Sequence, residues 1–282
     1  MLHKLGNSVT DLFVVAGLPS TLLIKIQTQI TAPFRKYGRF SKRNIMKTPL
    51  AIILVIFLNN VSFCQELSDL EMTMANSRRP IADQSRDENR RPLEILKLFG
   101  VKKGDSALDI IAMGGWYSEI LSYAVGDGGV VFMHNNPIPI TARSAVERAE
   151  RISRLHNVKD FVGRISDIPA SSIDFAITAL NFHDVYNRSS ADAERMLREI
   201  FTVLKPSGTL AIIDHEGSDN LDNSALHRIT FKKAVQASIA AGFILTDTSN
   251  LLENLNDDHT LSPFDDQIKG RTDRFILKLT KK

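Results

Sequence analysis

Short apolar runs alternate along the chain with longer stretches in which apolar residues recur every three or four positions, and the alternation starts at Pro92. Pro92-Leu-Glu-Ile-Leu-Lys-Leu-Phe99 predicts a helix with Leu93, Leu96 and Phe99 on one face and a stop at Gly100. Ser106 to Ile111 reads as a buried strand and Tyr117 to Val125 as the helix after it. A second strand, Gly129 to Met133, is followed by a helix over Thr141 to Leu155. Lys159 to Val162 is a weak third strand and Ile173 to Thr178 a clear fourth. Ala191 to Leu204 carries Met196, Leu197, Ile200 and Leu204 at helical spacing and ends at Lys205-Pro-Ser-Gly208. Thr209 to Ile213 supplies a fifth strand and Ile229 to Ala241 a helix ended by Gly242. Phe243 to Thr246 and Arg274 to Leu279 are two late strands with only a polar loop between them.

Five β/α units in sequence predict a parallel sheet covered by helices on both faces. Two final strands without an intervening helix join more easily as an antiparallel pair than through a crossover. The fold class is therefore α/β: a Rossmann-like, doubly wound, seven-stranded, mostly parallel sheet with a C-terminal antiparallel strand pair. In such a sheet a ligand sits at the carboxyl ends of the strands, near the point where strand order reverses.

Charge divides the chain differently. Residues 1–45 hold seven Lys or Arg against the single acid Asp11, and the remainder holds 28 basic and 31 acidic residues. The overall charge of +3 thus belongs to the N-terminal extension and gives no reason to expect nucleic acid binding by the domain. From Met46-Lys47 the apolar run Leu50 to Leu58, then polar Asn59-Asn60 and Val61 to Cys64, has the layout of a secretory signal peptide. The run is about half the ~20 residues of a membrane span, which favours a cleaved signal over an anchor. Periplasmic or secreted placement follows from cleavage, and membrane attachment from an uncleaved segment; residues 1–45 would then be either a misassigned start or a basic arm. Phe63 is not the small residue that precedes a lipid-attached cysteine. Cys64 is the only cysteine, so the chain beyond it has no disulfide or thiol chemistry. Residues 65–87 are polar and read as a linker or arm, with the domain occupying 88–282.

Candidate chemistry gathers after the strands. Leu108-Asp-Ile-Ile-Ala-Met-Gly-Gly-Trp-Tyr-Ser118 places an acid and a glycine pair at a strand-to-helix turn, where backbone without a side chain approaches a ligand closely. The same glycines also serve plain packing. Asn181-Phe-His-Asp184 follows the fourth strand, Asp214-His215 the fifth, and His227-Arg228 the start of the next helix, so three polar pairs converge on one mouth. These pairs lack diagnostic metal-ligand spacing, and no metal is assigned. Trp116 and Tyr117 are either packing or a pocket wall. Lys269 to Arg274 reads as a structured basic loop, and no basic-aromatic platform for nucleic acid is present.

With these stretches in view, the chain resembles the class I S-adenosylmethionine-dependent methyltransferases, and in particular a bacterial family of predicted, often exported, methyltransferases of unknown substrate. The resemblance is carried by Arg90 to Leu96, Asp109 to Leu121, Asn181 to Arg188, Leu204 to Gly208, Asp214-His215, Leu226 to Ile229 and Lys269 to Phe275. It implies S-adenosylmethionine as cofactor, bordered in its amino-acid half by Asp109, Ala112, Gly114 and Gly115, with Tyr117 and Asn181 alongside. It implies a ribose contact at Asn135 or Asn136, where an acid commonly closes the second strand, and an adenine contact at Asp167, for which capping of a turn is the alternative. Met113 stands where a glycine is expected. His183, Asp184 and His215 are the candidate catalytic residues, positioning a small-molecule acceptor, with His183 or His215 as base where the acceptor must lose a proton. The competing reading is a noncatalytic or repurposed nucleoside- or small-molecule-binding domain on the same fold.

Overall fold

The computed structural model describes residues 70–75, 78–137 and 141–282; the extension 1–45 and the signal-like segment 46–64 lie outside the described residues. No helix among the described residues is long and apolar enough to cross a membrane.

The sheet is centred on β1 (Ser106–Ile110), whose Ala107, Leu108 and Ile110 are fully buried because helices cover both faces. It also contains β2 (Val130–Asn135), β3 (Val158–Val162), β4 (Ile173–Ala179), β5 (Leu204–His215), β6 (Ile244–Ser249) and β7 (Arg274–Thr280). The seven strands lie in the order β3-β2-β1-β4-β5-β7-β6. The first five run parallel, and β7 is antiparallel to both β5 and β6, as the alternation of segments predicts. The chain returns so that β7 lies inside β6. Composition explains the choice: Phe275, Ile276, Leu277 and Leu279 of β7 are buried, whereas Ile-Leu-Thr-Asp-Thr-Ser suits the half-exposed edge. Lys205-Pro-Ser-Gly208 does not precede β5 but bulges from it, since pairing jumps from Ile173–Leu204 to Phe175–Thr209.

Helices α1 (Ile81–Gln84), α2 (Asp87–Arg90) and α3 (Pro92–Phe99) precede the sheet. Helix α3 buries Ile95, Leu96 and Phe99, with Leu93 only partly covered. Then come α4 (Trp116–Val125), α5 (Ala142–Arg154), α6 (Phe182–Arg188), α7 (Ser190–Val203) and α8 (Phe231–Ala240). Their apolar faces build two cores, one around Leu108, Phe182, Leu197 and Leu277, the other around Ile95, Trp116, Ile120 and Met133.

Three local expectations change. The Asn181–Arg188 segment forms a helix, α6, because Phe182 and Val185 share one buried side. Helix α8 starts at Phe231 behind its cap Thr230, which leaves His227 and Arg228 in a loop, and Ile229 instead bridges Glu216. Residues 79–87, expected as an arm outside the domain, are docked on it. The Asp83 carbonyl accepts the Trp116 indole N–H at 3.0 Å, the Asp83 carboxylate pairs with Arg151 of α5, and Arg79 pairs with Asp87 at 2.8 Å. The anchors are polar, so hydropathy does not reveal them.

Candidate active site

Strand order reverses between β1 and β4, and both strands deliver their following residues to the same side of the sheet. After β1, Ile111 (φ 55°) and Met113 (φ 54°) adopt the left-handed backbone that glycine normally supplies. Each such residue costs roughly 1–2 kcal/mol, the β-branched Ile111 being the less suited. The end of β2 holds them. His134 Nδ1 accepts the Ile111 N–H at 3.3 Å, and the His134 carbonyl accepts that of Ala112 at 2.8 Å. Nε2 of His134 therefore carries the proton and donates to the Gly163 carbonyl at 3.1 Å; burial lowers the pKa of this imidazole. Asn135 makes a two-way bond with Met113, accepting its N–H at 2.8 Å and donating to its carbonyl at 3.2 Å. Asn181 donates to the carbonyls of Ile111 and Ala179 at 3.1 and 2.7 Å.

Helix α5 covers the turn from the other side. Arg151 donates to the Gly114 carbonyl, and a Cβ at Gly114 would overlap the Glu147 side chain. Gly115 has φ 82°, and a Cβ there would strike Met133 Sδ.

The turn opens on a cavity of about 280 Å³ lined by Asp109, Ala112, Gly114, Gly115, Tyr117 and Asn181, all of them candidates from the sequence, together with Arg90, Trp116 and Glu147. Asp109 is 3% exposed and accepts a hydrogen bond from Ser118 Oγ at 2.7 Å. Burial pushes its carboxyl up to about 6, against the opposing pull of the Ser118 bonds and the charges of Arg151 and Arg90. The guanidinium of Arg90 lies 4.6 Å from the centre of the Trp116 ring and pairs with no carboxylate among the described residues. Burial lowers its pKa to about 10, so it remains a cation at neutral pH. A half-buried cation without a carboxylate partner, facing a cavity, is a receptor for an anionic group. Sequence reading missed this role because Arg90 sits in a polar run with four other arginines between residues 78 and 91.

The residues expected beside the adenosine half make the following contacts. The Asn135 amide is committed to Met113, and Asn136, half-buried beyond β2, does not line the cavity. Asp167 caps its own short turn by accepting the Arg164 N–H at 3.1 Å, so the capping alternative describes it.

After β4 and β5 lies an imidazole–carboxylate cluster. Fully buried Asp214 accepts the N–H groups of His183 (2.7 Å) and His215 (2.8 Å) and meets His183 Nδ1 at 2.7 Å. His183 Nε2 lies 3.3 Å from Asp184 Oδ1, which also meets His227 Nδ1 at 2.9 Å. The His215 ring is 5.6 Å from that of His183, and its Nδ1 is 2.7 Å from Thr272 Oγ1. Burial disfavours charge on His183, but Asp214 and Asp184 outweigh it and hold this imidazole up to about 9. The bond from His183 draws Asp184 down to about 2. Burial, reinforced by the charges of His183 and Arg274, pushes His215 well below its usual value. The two neighbouring imidazoles are thus pushed in opposite directions, His183 toward and His215 away from the charged form. Arg228 does not join them: it is buried, and its Nη2 donates to both carboxylate oxygens of Asp257 at 2.9 and 3.0 Å. Thr272, from the basic loop before β7, was not a candidate; its reach to His215 spans 57 residues and leaves no local signal.

The strand order, with an antiparallel strand inserted beside β5, defines the class I methyltransferase fold. A family model described as a methyltransferase domain matches residues 112–212. The demethylmenaquinone methyltransferases of Listeria welshimeri and Listeria monocytogenes are each 31% identical over 124 residues, which is 43% of this chain and 49% of theirs. The chain thus spans about half the length of the curated relatives it matches. A methyltransferase from Aquifex aeolicus, described as SAM-dependent, superposes with a TM-score of 0.53 at 21% identity, over 77% of this chain and 98% of that one. The [4+2]-cyclase SpnF superposes with a TM-score of 0.50 at 14% identity, over 68% and 80%. Both structural likenesses show the fold. Residues 112–212 thus match a methyltransferase domain within a chain that has the fold of the class I S-adenosylmethionine-dependent methyltransferases, and the cofactor these likenesses imply is S-adenosylmethionine.

Proposed function

We propose that this domain transfers a methyl group from S-adenosylmethionine to a small-molecule acceptor bound at the carboxyl ends of β4 and β5. The observation that carries the reading is the cavity at the Asp109–Gly115 turn, with Arg90 held over Trp116 as a cation without a carboxylate partner. The residues present fit the amino-acid half of the cofactor. Arg90 would take its carboxylate, Asp109 would face its ammonium group, and the backbone of Gly114 and Gly115 leaves room for close approach. The cofactor supplies a methyl group on a sulfonium that is its own leaving group.

The chain's own residues prepare the acceptor. Asn181 lines the cavity and stands two residues before His183, so the imidazole cluster begins where the cofactor cavity ends. Neutral His215 is the proton acceptor for an acceptor that must be deprotonated, and Asp214 fixes the backbone that carries it. The relatives named for demethylmenaquinone support an acceptor of small-molecule class.

Arg90→Met keeps the stem that covers Trp116 and removes the charge. Calorimetry with S-adenosylhomocysteine should show affinity reduced by about 10- to 100-fold, as expected for loss of a charge-assisted bond of roughly 1.5–3 kcal/mol. Affinity equal to that of the wild-type chain would remove Arg90 from the site and with it the main support for this reading.

A further inference from the structure

The cluster after β4 and β5 contains more than the reaction above uses. His183 Nε2 and His227 Nδ1 lie 3.3 and 2.9 Å from the same Asp184 oxygen, and one ligand atom from each of the three residues falls within 4.8 Å of the others. In a tetrahedral site with bonds of about 2.0–2.1 Å, ligand atoms are separated by about 3.3 Å. Three donors are therefore already near coordination spacing.

Their supports have the form that metal sites require. Nδ1 of His183 faces Asp214, which is itself fixed by two backbone N–H groups, so Nε2 is the ring nitrogen left to ligate, releasing its proton to solvent as the metal binds. His183 is 3% exposed and cannot turn away, and the His227 ring is flanked by Phe264 at 5.0 Å between centroids. Asp184 and His227 have side chains 58% and 40% exposed, which leaves the solvent side open for a fourth ligand. Three protein ligands with one open position is the arrangement of a reactive zinc rather than a closed structural one. Two imidazoles with one carboxylate select a zinc-class ion over magnesium or calcium, which prefer oxygen.

We propose that His183, Asp184 and His227 bind one zinc-class divalent ion, oriented by Asp214. The ion would neutralise the carboxylate pair and present a Lewis acid at the acceptor mouth. Its role at the acceptor mouth rests on the methyl-transfer reading, but the binding of zinc by these three side chains is measured directly and stands or falls without it.

The test uses the full chain, stripped with a chelator and titrated with zinc chloride, with cobalt(II) as a spectroscopic probe. One equivalent of zinc should bind, cobalt should give the intense visible bands of a four-coordinate ion, and His227→Ala should weaken zinc binding at least about tenfold and abolish those bands. Asp184→Asn, on an exposed side chain, is the second variant and should do the same. A wild-type chain that binds no zinc at micromolar concentration, or two variants that bind it as the wild type does, would overturn the proposal.

Discussion

At the scale of single residues, the unusual feature is a ligand-binding turn that places Ile111 and Met113 in glycine-like backbone. The cost falls on side chains of β2 that act as braces. His134 and Asn135 satisfy the strained amides. Asn135→Ala removes both bonds to Met113 and should destabilise the domain by about 1–3 kcal/mol in urea unfolding. In a Met113→Gly background the loss should shrink by at least about 0.5 kcal/mol, because glycine needs no brace. Full additivity would show that Asn135 does not support the turn. Met113 stood out in the sequence because a glycine was expected there, whereas Ile111 did not. A β-branched residue ending an apolar run reads as strand, and its left-handed conformation depends on a histidine 23 positions away.

Among elements, the sheet and most helices are legible because each carries its own period: continuous apolar runs for parallel strands, and three-to-four spacing for α3 and α7. What the pattern hides is held by charge. Helix α5 carries eight Arg, Glu or Ser among its thirteen residues, yet Arg151 on it is 1% exposed. It pairs with Asp83, donates to the Gly114 carbonyl, and lies with Nε 3.2 Å from Glu119 Oε2, though not in hydrogen-bonding alignment. This one guanidinium joins α1, α4, α5 and the turn. Arg151→Met leaves buried Asp83 with only Arg86 at 3.5 Å, while Glu119 keeps Arg154 at 2.8 Å, and should cost about 3 kcal/mol in chemical denaturation. Adding Asp83→Asn should restore part of that loss, since the penalty lies in the weakly paired Asp83 charge. No recovery would mean that packing, not charge, ties these elements together. Helix α6 was hidden for another reason: its short apolar face, Phe182 and Val185, falls among residues whose polarity draws a chemical reading first.

For the whole molecule, the two halves of the site sit at the reversal point of the sheet, the cofactor cavity after β1 and the imidazole cluster after β4 and β5. Convergence of the His/Asp pairs is legible from strand order alone; the part played by Thr272 and the withdrawal of Arg228 are not, because long loops decide both. Asp109 links site and stability. Its carboxyl is raised to about 6 in the folded chain, so folding favours the protonated form and this group's contribution to stability falls as pH rises through about 6. A cationic ligand group favours the opposite, ionised form.

Calorimetry of the full chain with S-adenosylmethionine and S-adenosylhomocysteine, run from pH about 5 to about 8, therefore addresses the central claim most directly. One cofactor should bind per chain, with affinity that falls as pH is lowered through about 6, because Asp109 then loses its charge. Absence of binding of either compound at millimolar concentration would contradict the account.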